Sequence, residues 1–133
     1  QRLSRGLGDV YKRQARGIPM ALVTSSSLEA VTFKALPHPW LKRIKERVYG
    51  DDPELEAGKP DPAPFLLAAH RLGLDPNRCW ALEDSQAGAA SALAAGCRVW
   101  VLNEQRPTEP RDVNPRHINS LEVVLDQLLS TDD

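Results

Sequence analysis

From Ala15 onward, short apolar runs alternate with stretches of helical periodicity. Pro19-Met20-Ala21-Leu22-Val23-Thr24 is continuously apolar almost to its end, as a strand buried on both faces is. Ser26 and Glu29 form an S-x-x-E capping box that predicts a helix over 27–36, stopped by Pro37 and Pro39. The basic stretch from Lys42 to Arg47 leads to a second short strand at 47–49. Gly50 to Pro62 is a loop by composition. Asp61 then caps a helix with Pro62 in its first turn, where a missing N–H costs nothing. Phe65, Leu66, Ala69 and Leu72 give that helix an apolar face, and Gly73 ends it. Cys79-Trp80-Ala81-Leu82 is another buried strand, with Glu83 and Asp84 at its C-terminal end. Residues 87–95 are Ala-rich and helical, closed by Gly96. A further strand covers 98–102, and 103–115, with three prolines, is an irregular connection. Ser120 caps a last helix in which Leu121, Val124, Leu125, Leu128 and Leu129 recur at i, i+3, i+4, i+7 and i+8. Strands separated by helices predict βαβ units and an α/β fold with a doubly wound, largely parallel sheet. No internal repeat is present.

The segment 1–14 breaks this pattern. It holds four basic residues and one acid, and Leu3, Leu7, Val10 and Tyr11 fit no period, so it reads as a linker or as a leader foreign to the domain formed by 15–133. The whole chain of 133 residues has the size of one domain. Its 17 Lys+Arg nearly balance 18 Asp+Glu, which removes the electrostatic reason to expect nucleic acid as a partner. Hydrophobic residues at 41% suffice for a core, and no apolar run approaches the ~18–20 residues that cross a bilayer. Cys79 and Cys97 belong to no C-x-x-C pair, so neither a zinc site nor a disulfide framework is indicated. The expectation is a cytoplasmic domain without membrane or nucleic-acid partners.

In an open parallel sheet, ligands bind beyond the carboxyl ends of the strands, and three polar groups are placed there. Thr24, with Ser25 and Ser26, ends the first strand and enters a helix N-terminus, where hydroxyls and free N–H groups suit a phosphate; Ser26 could equally serve only as the cap. Lys59 lies in Gly58-Lys59-Pro60-Asp61-Pro62, a loop stiffened by two prolines. A held ammonium serves a phosphoryl oxygen or a pair of carboxylates, whereas a solvated loop lysine is the bland alternative. Glu83 and Asp84 are adjacent carboxylates whose repulsion is ~1–4 kcal/mol at about 4 Å. A cation relieves it, and hard oxygen ligands favour Mg²⁺; a capping Asp84 beside a solvated Glu83 is the simpler account. Gly88, a little further on, lets the backbone approach closely. Each signal is weak alone, and their order at successive strand ends is much stronger. A two-component receiver domain uses the same residue types but puts the acidic pair first and the lysine last. His38, His70 and His117 show no partner pattern, and Trp40, Trp80 and Trp100 read as core or cover.

With their flanks, these sites resemble the haloacid-dehalogenase-like (HAD) hydrolase superfamily, in its phosphoglycolate phosphatase and β-phosphoglucomutase-like subgroup. The stretch from Ala15 to Ser26 is similar to the family's second motif, Gly58-Lys59-Pro60-Asp61-Pro62 with Phe65 to the third, and Glu83-Asp84-Ser85-Gln86-Ala87-Gly88 with Ala94 to Val99 to the fourth. The resemblance covers 15–129. It implies a HAD-type Rossmann-like sheet in which Thr24 and Ser25 hold the transferring phosphoryl group, Lys59 neutralises its charge and that of the nucleophile, and Glu83 with Asp84 holds Mg²⁺. The activity implied is a phosphatase or phosphomutase acting on a small phosphorylated metabolite.

The family's first motif, an Asp-x-Asp-Gly strand end that supplies the aspartyl nucleophile, has no counterpart before Thr24, where Asp9 is the only acid. The cap domain that such members insert before the second motif is missing as well. The expectation is therefore a C-terminal part of a longer enzyme, inactive by itself. In the resembled fold the nucleophile's strand lies between those ending at Thr24 and Glu83, so the fragment should expose two inner sheet edges. The alternative is a non-catalytic doubly wound module that keeps a phosphate or Mg²⁺ site without turnover. The upstream coding sequence discriminates the two, since a D-x-D-G strand there restores the enzyme.

Overall fold

The computed structural model describes residues 19–24 and 44–130. Strand β1 (Ala21–Val23) pairs in parallel with β2 (Glu46–Val48), Ala21 opposite Glu46 and Val23 opposite Val48. The ladder continues one step further, because the Thr24 N–H donates to the Val48 carbonyl at 2.9 Å. A second parallel sheet holds β3 (Trp80–Glu83), β4 (Arg98–Leu102) and β5 (Arg116–Ile118), with β4 in the centre. Among the described residues β1 pairs only with β2 and β3 only with β4, so each of the two sheets ends at an edge. The capping box over 26–29 and its helix lie outside the described residues, as do 1–18.

Two apolar clusters sit on opposite faces of the β3–β4–β5 sheet, which is why helices cover both. Ala81, Val99 and Val101 point one way and pack with Phe65 of α1 (Ala63–Leu72), Ala89 and Ala92 of α2 (Gln86–Ala94), and Cys97. Trp100 and Ile118 point the other way and pack with Leu121 and Val124 at the start of α3 (Glu122–Ser130). Alternation along a strand sends successive side chains to opposite faces. This βαβ arrangement agrees with the expected α/β class. Trp80 and Trp100 stack at 4.4 Å between ring centroids inside the second cluster, as core aromatics do.

Strand β2 lies one residue earlier than the expected 47–49, and three further details depart from the sequence reading. Asp61 is not itself the N-cap of α1; Pro62 occupies that position, and the Asp61 carboxylate reaches forward to accept from the Ala63 N–H at 2.9 Å. Strand β3 runs one residue further than expected and includes Glu83, which turns that side chain inward. Strand β5 was absent from the hydrophobic pattern, because only Ile118 of its three residues is apolar. Arg116 is nevertheless buried, its guanidinium donating to the Glu109 carbonyl at 2.9 Å and to Gln127 at 3.3 Å. The proline-rich connection before β5 is tied to β4 by side chains: Arg98 donates to the carbonyls of Val113 and Arg111, and Asn114 accepts from the Val99 N–H at 2.9 Å.

Candidate active site

The loop carrying Lys59 is built around Asp61. Its N–H donates to the Gly58 carbonyl at 2.9 Å, closing a turn with Lys59 and Pro60 at its centre. From that turn the Lys59 ammonium donates to the Val23 carbonyl at 3.2 Å and to both Glu83 oxygens at 3.2 and 3.4 Å. It also lies 5.4 Å from the centroid of the Phe65 ring, within cation–π range. The lysine thus joins the C-terminal end of β1 to the C-terminal end of β3, across two sheets that share no ladder among the described residues. The side chains of Lys59 and Glu83 are each 11% exposed, so this is a held ion pair and not a solvated one.

Burial pushes the Glu83 carboxyl above its ordinary value, and the neighbouring charge of Asp84 acts in the same direction, while Lys59 opposes both. Removing the lysine would leave a carboxylate in a site that disfavours charge. The Glu83 side chain lies against the first turn of α2 at Gly88, where a Cβ would overlap its Oε1. Glycine is required there by close approach, as the sequence suggested, although the approaching group is a side chain and not a ligand. Ser85 caps the helix by accepting from the Gly88 N–H at 3.0 Å.

Asp84 is exposed, and no hydrogen bond or ion pair engages its carboxylate among the described residues. The structure therefore divides the acidic pair: Glu83 faces inward to Lys59, and Asp84 faces solvent at the strand end. Thr24 is half-buried beside Val23, the residue whose carbonyl Lys59 holds. Ser25 lies outside the described residues. No group of three or more His, Cys, Asp or Glu side chains that could hold a metal occurs among the described residues. Two arrangements escaped the sequence reading. Arg71 at the end of α1 binds Asp52 in a fork at 2.6 and 2.9 Å and Glu54 at 2.7 Å, tying the 50–57 loop to the helix. His117 pairs with Glu109 at 2.7 Å. Arg71 reaches residues 19 and 17 positions earlier and His117 one eight positions earlier, and neither spacing is a helix or strand signal.

A sequence profile described as a haloacid dehalogenase-like hydrolase matches residues 5–96. The chain belongs to this family. The match begins inside the segment 1–14, takes in the second and third candidate motifs and Glu83 to Gly88 of the fourth, and ends at 96. Hexitol phosphatase A of Escherichia coli (strain K12) is 39% identical over 116 residues, which are 84% of this chain and 47% of that protein. A CBBY-like protein of Arabidopsis thaliana is 58% identical over 82 residues, covering 60% of this chain and 25% of the relative. Among solved structures, CbbY from Rhodobacter sphaeroides in complex with phosphate superposes with a TM-score of 0.67 at 30% identity, over 88% of this chain and 52% of that one. The chain thus spans about half the length of the hexitol phosphatase it matches. The haloacid dehalogenase-like assignment agrees with the fold and with the family resemblance read from the motifs. No helix among the described residues is long and apolar enough to cross a membrane.

Proposed function

We propose that this chain carries the phosphate- and metal-binding part of a Mg²⁺-dependent phosphatase or phosphomutase acting on a small phosphorylated metabolite. The observation that carries the reading is the Lys59 ammonium, held between the Val23 carbonyl and the Glu83 carboxylate at the ends of two strands. A cation fixed there is preorganised for charge developing on a phosphoryl group, and such electrostatic placement is most of what phosphoryl transfer asks of a protein. The Thr24 hydroxyl, one residue beyond Val23, hydrogen-bonds a phosphoryl oxygen, with Ser25 beside it. The names of relatives support the substrate class: a hexitol phosphatase, a fructose-1-phosphate phosphatase and a probable pseudouridine-5'-phosphatase.

The residues present suit a hard divalent cation. Asp84 offers an open carboxylate at the strand end, with Glu83 behind it, and Mg²⁺ takes one or two carboxylates together with substrate oxygens and water. When bound, Mg²⁺ supplies charge neutralisation to the phosphoryl oxygens. Glu83 holds Lys59 in place, and Lys59 offsets the negative charge that accumulates around Thr24.

The nucleophile is the missing element. No D-x-D precedes Thr24 in the sequence, and covalent catalysis disappears without its nucleophile. Residues 1–133 by themselves are therefore inactive in this reading. Uncatalysed phosphate-monoester hydrolysis is so slow that enzymes accelerate it by up to ~10²¹-fold, a deficit that Thr24 and Lys59 alone do not close. The test is turnover of an aryl phosphate with Mg²⁺ by the purified chain and by Lys59→Ala. The expected result is no turnover from either. Rates of ~1–10³ s⁻¹ that vanish in Lys59→Ala would overturn the inactivity while supporting the site. Activity indifferent to Lys59 would overturn the site itself.

A further inference from the structure

Ser91 is fully buried in α2, and its hydroxyl does not bond within its own helix. It donates instead to the Asp61 carbonyl at 2.6 Å, 30 residues away in sequence. A serine in a helix interior ordinarily turns its hydroxyl to solvent or to the carbonyl one turn back. We propose that Ser91 is a positioning residue for Lys59, fixing the ammonium-bearing turn to the helix that also receives Glu83. The proposal rests on the functional reading above, in which Lys59 is the group that meets the phosphoryl charge.

Asp61 is the node of the Lys59 turn. Its N–H closes the turn on Gly58, its carboxylate accepts from the Ala63 N–H at the start of α1, and its carbonyl is taken by Ser91. Among the described residues no other hydrogen bond joins the 58–62 loop to α2. Ser91 stands three positions after Gly88, and residues so spaced share one face of a helix. One turn of α2 therefore receives the Glu83 carboxylate at Gly88 and the Lys59 loop at Ser91. Both ends of the ion pair are set by one rigid element. Losing the Ser91 hydroxyl would leave the turn attached to α1 alone and free its carbonyl to move toward water, and Lys59 Nζ would drift from Glu83 and Val23.

The test reads Lys59 directly. Native chain, Ser91→Ala, Ser91→Cys and Val124→Ala are exposed briefly to an amine-acylating reagent, and modification of Lys59 and Lys45 is followed by peptide mass spectrometry. Lys45 is exposed, and Val124 is a fully buried residue of the opposite cluster. Ser91→Ala is expected to speed Lys59 acylation roughly fivefold to tenfold, the weight of one lost hydrogen bond, with Lys45 unchanged. Ser91→Cys, which keeps a weak donor of similar shape, should fall between. Val124→Ala lowers stability without speeding Lys59. An unchanged Lys59 rate in Ser91→Ala, or an equal rise in Val124→Ala, would overturn the proposal. Titration of inorganic phosphate into the native chain tests the functional reading separately: no binding there counts against that reading, whereas unchanged labelling counts against Ser91.

Discussion

Gly88→Ala should change sign with its surroundings. In an exposed helix the substitution stabilises by ~0.5–1 kcal/mol, because alanine loses less conformational freedom than glycine on folding. Gly88 has no positive φ, so the backbone accepts alanine. The obstacle is Glu83, whose Oε1 occupies the space a Cβ would need. The carboxylate end of a glutamate can swing, so the clash is relieved by rotating Glu83 away. That rotation abandons the two Lys59 contacts at 3.2 and 3.4 Å. Breaking a fully buried ion pair costs ~3–5 kcal/mol, and this pair retains some exposure, so about 2–3 kcal/mol is the appropriate figure. After the helix gain is subtracted, Gly88→Ala destabilises by about 1–2 kcal/mol. In a Glu83→Ala background the carboxylate is gone and the Ser85 hydroxyl alone stays close, 3.0 Å from the Cβ position, so the same substitution should be neutral or stabilise by up to ~0.5 kcal/mol. Urea unfolding of the four proteins, with unchanged m values, gives the cycle directly. Equal effects of Gly88→Ala in both backgrounds would refute the close approach of Glu83 to α2.

Arg71→Ala should destabilise by about 2 kcal/mol, since it removes charge-assisted bonds to Asp52 and Glu54 and a bond to the Arg47 carbonyl, and the Asp52 carboxyl, which Arg71 holds below its ordinary value, should titrate higher by NMR. Asn114→Ala should cost about 1–2 kcal/mol in urea unfolding, because the Val99 N–H in a buried strand loses its acceptor. Glu83 sets a pH dependence of defined sign: burial holds its carboxyl above its ordinary value in the fold, so the native state keeps the proton longer than the unfolded chain. Its contribution to stability is greatest below the ordinary value, falls as pH rises through the raised one, and is constant beyond. Glu109 and Asp52 lie below their ordinary values and have the opposite sign, so the difference between native chain and Glu83→Gln isolates Glu83: it should narrow as pH falls toward the ordinary carboxyl range.

The sheet was legible because its central strands are apolar on both faces. Runs such as Val99-Trp100-Val101 fill one cluster with odd positions and the other with even ones, and no amphipathic reading competes. Strand β5 was hidden because Ile118 is its one apolar residue, and it is held by its ladder to β4 and by side-chain bonds of Arg116 and Asn114 instead of an apolar run. The polar residues of the site could be listed from their places at strand ends, and the identity of the lysine's partner could not. Alternation along β3 puts Glu83 on the face of Ala81, but the lysine that meets it there comes from a loop 24 residues earlier, which no local pattern announces. Ser91 carried no signal at all within an Ala-rich helix, since its acceptor is a carbonyl 30 residues earlier.

The most direct test of a preorganised phosphate site is a titration of inorganic phosphate followed by NMR of the backbone amides and the lysine ammonium groups, with and without Mg²⁺. The account predicts saturable shifts at Thr24 and Lys59, lost in Lys59→Ala, and a gain in affinity from Mg²⁺ that is lost in Asp84→Ala. Shifts scattered over the surface, or phosphate binding that survives Lys59→Ala unchanged, would contradict it.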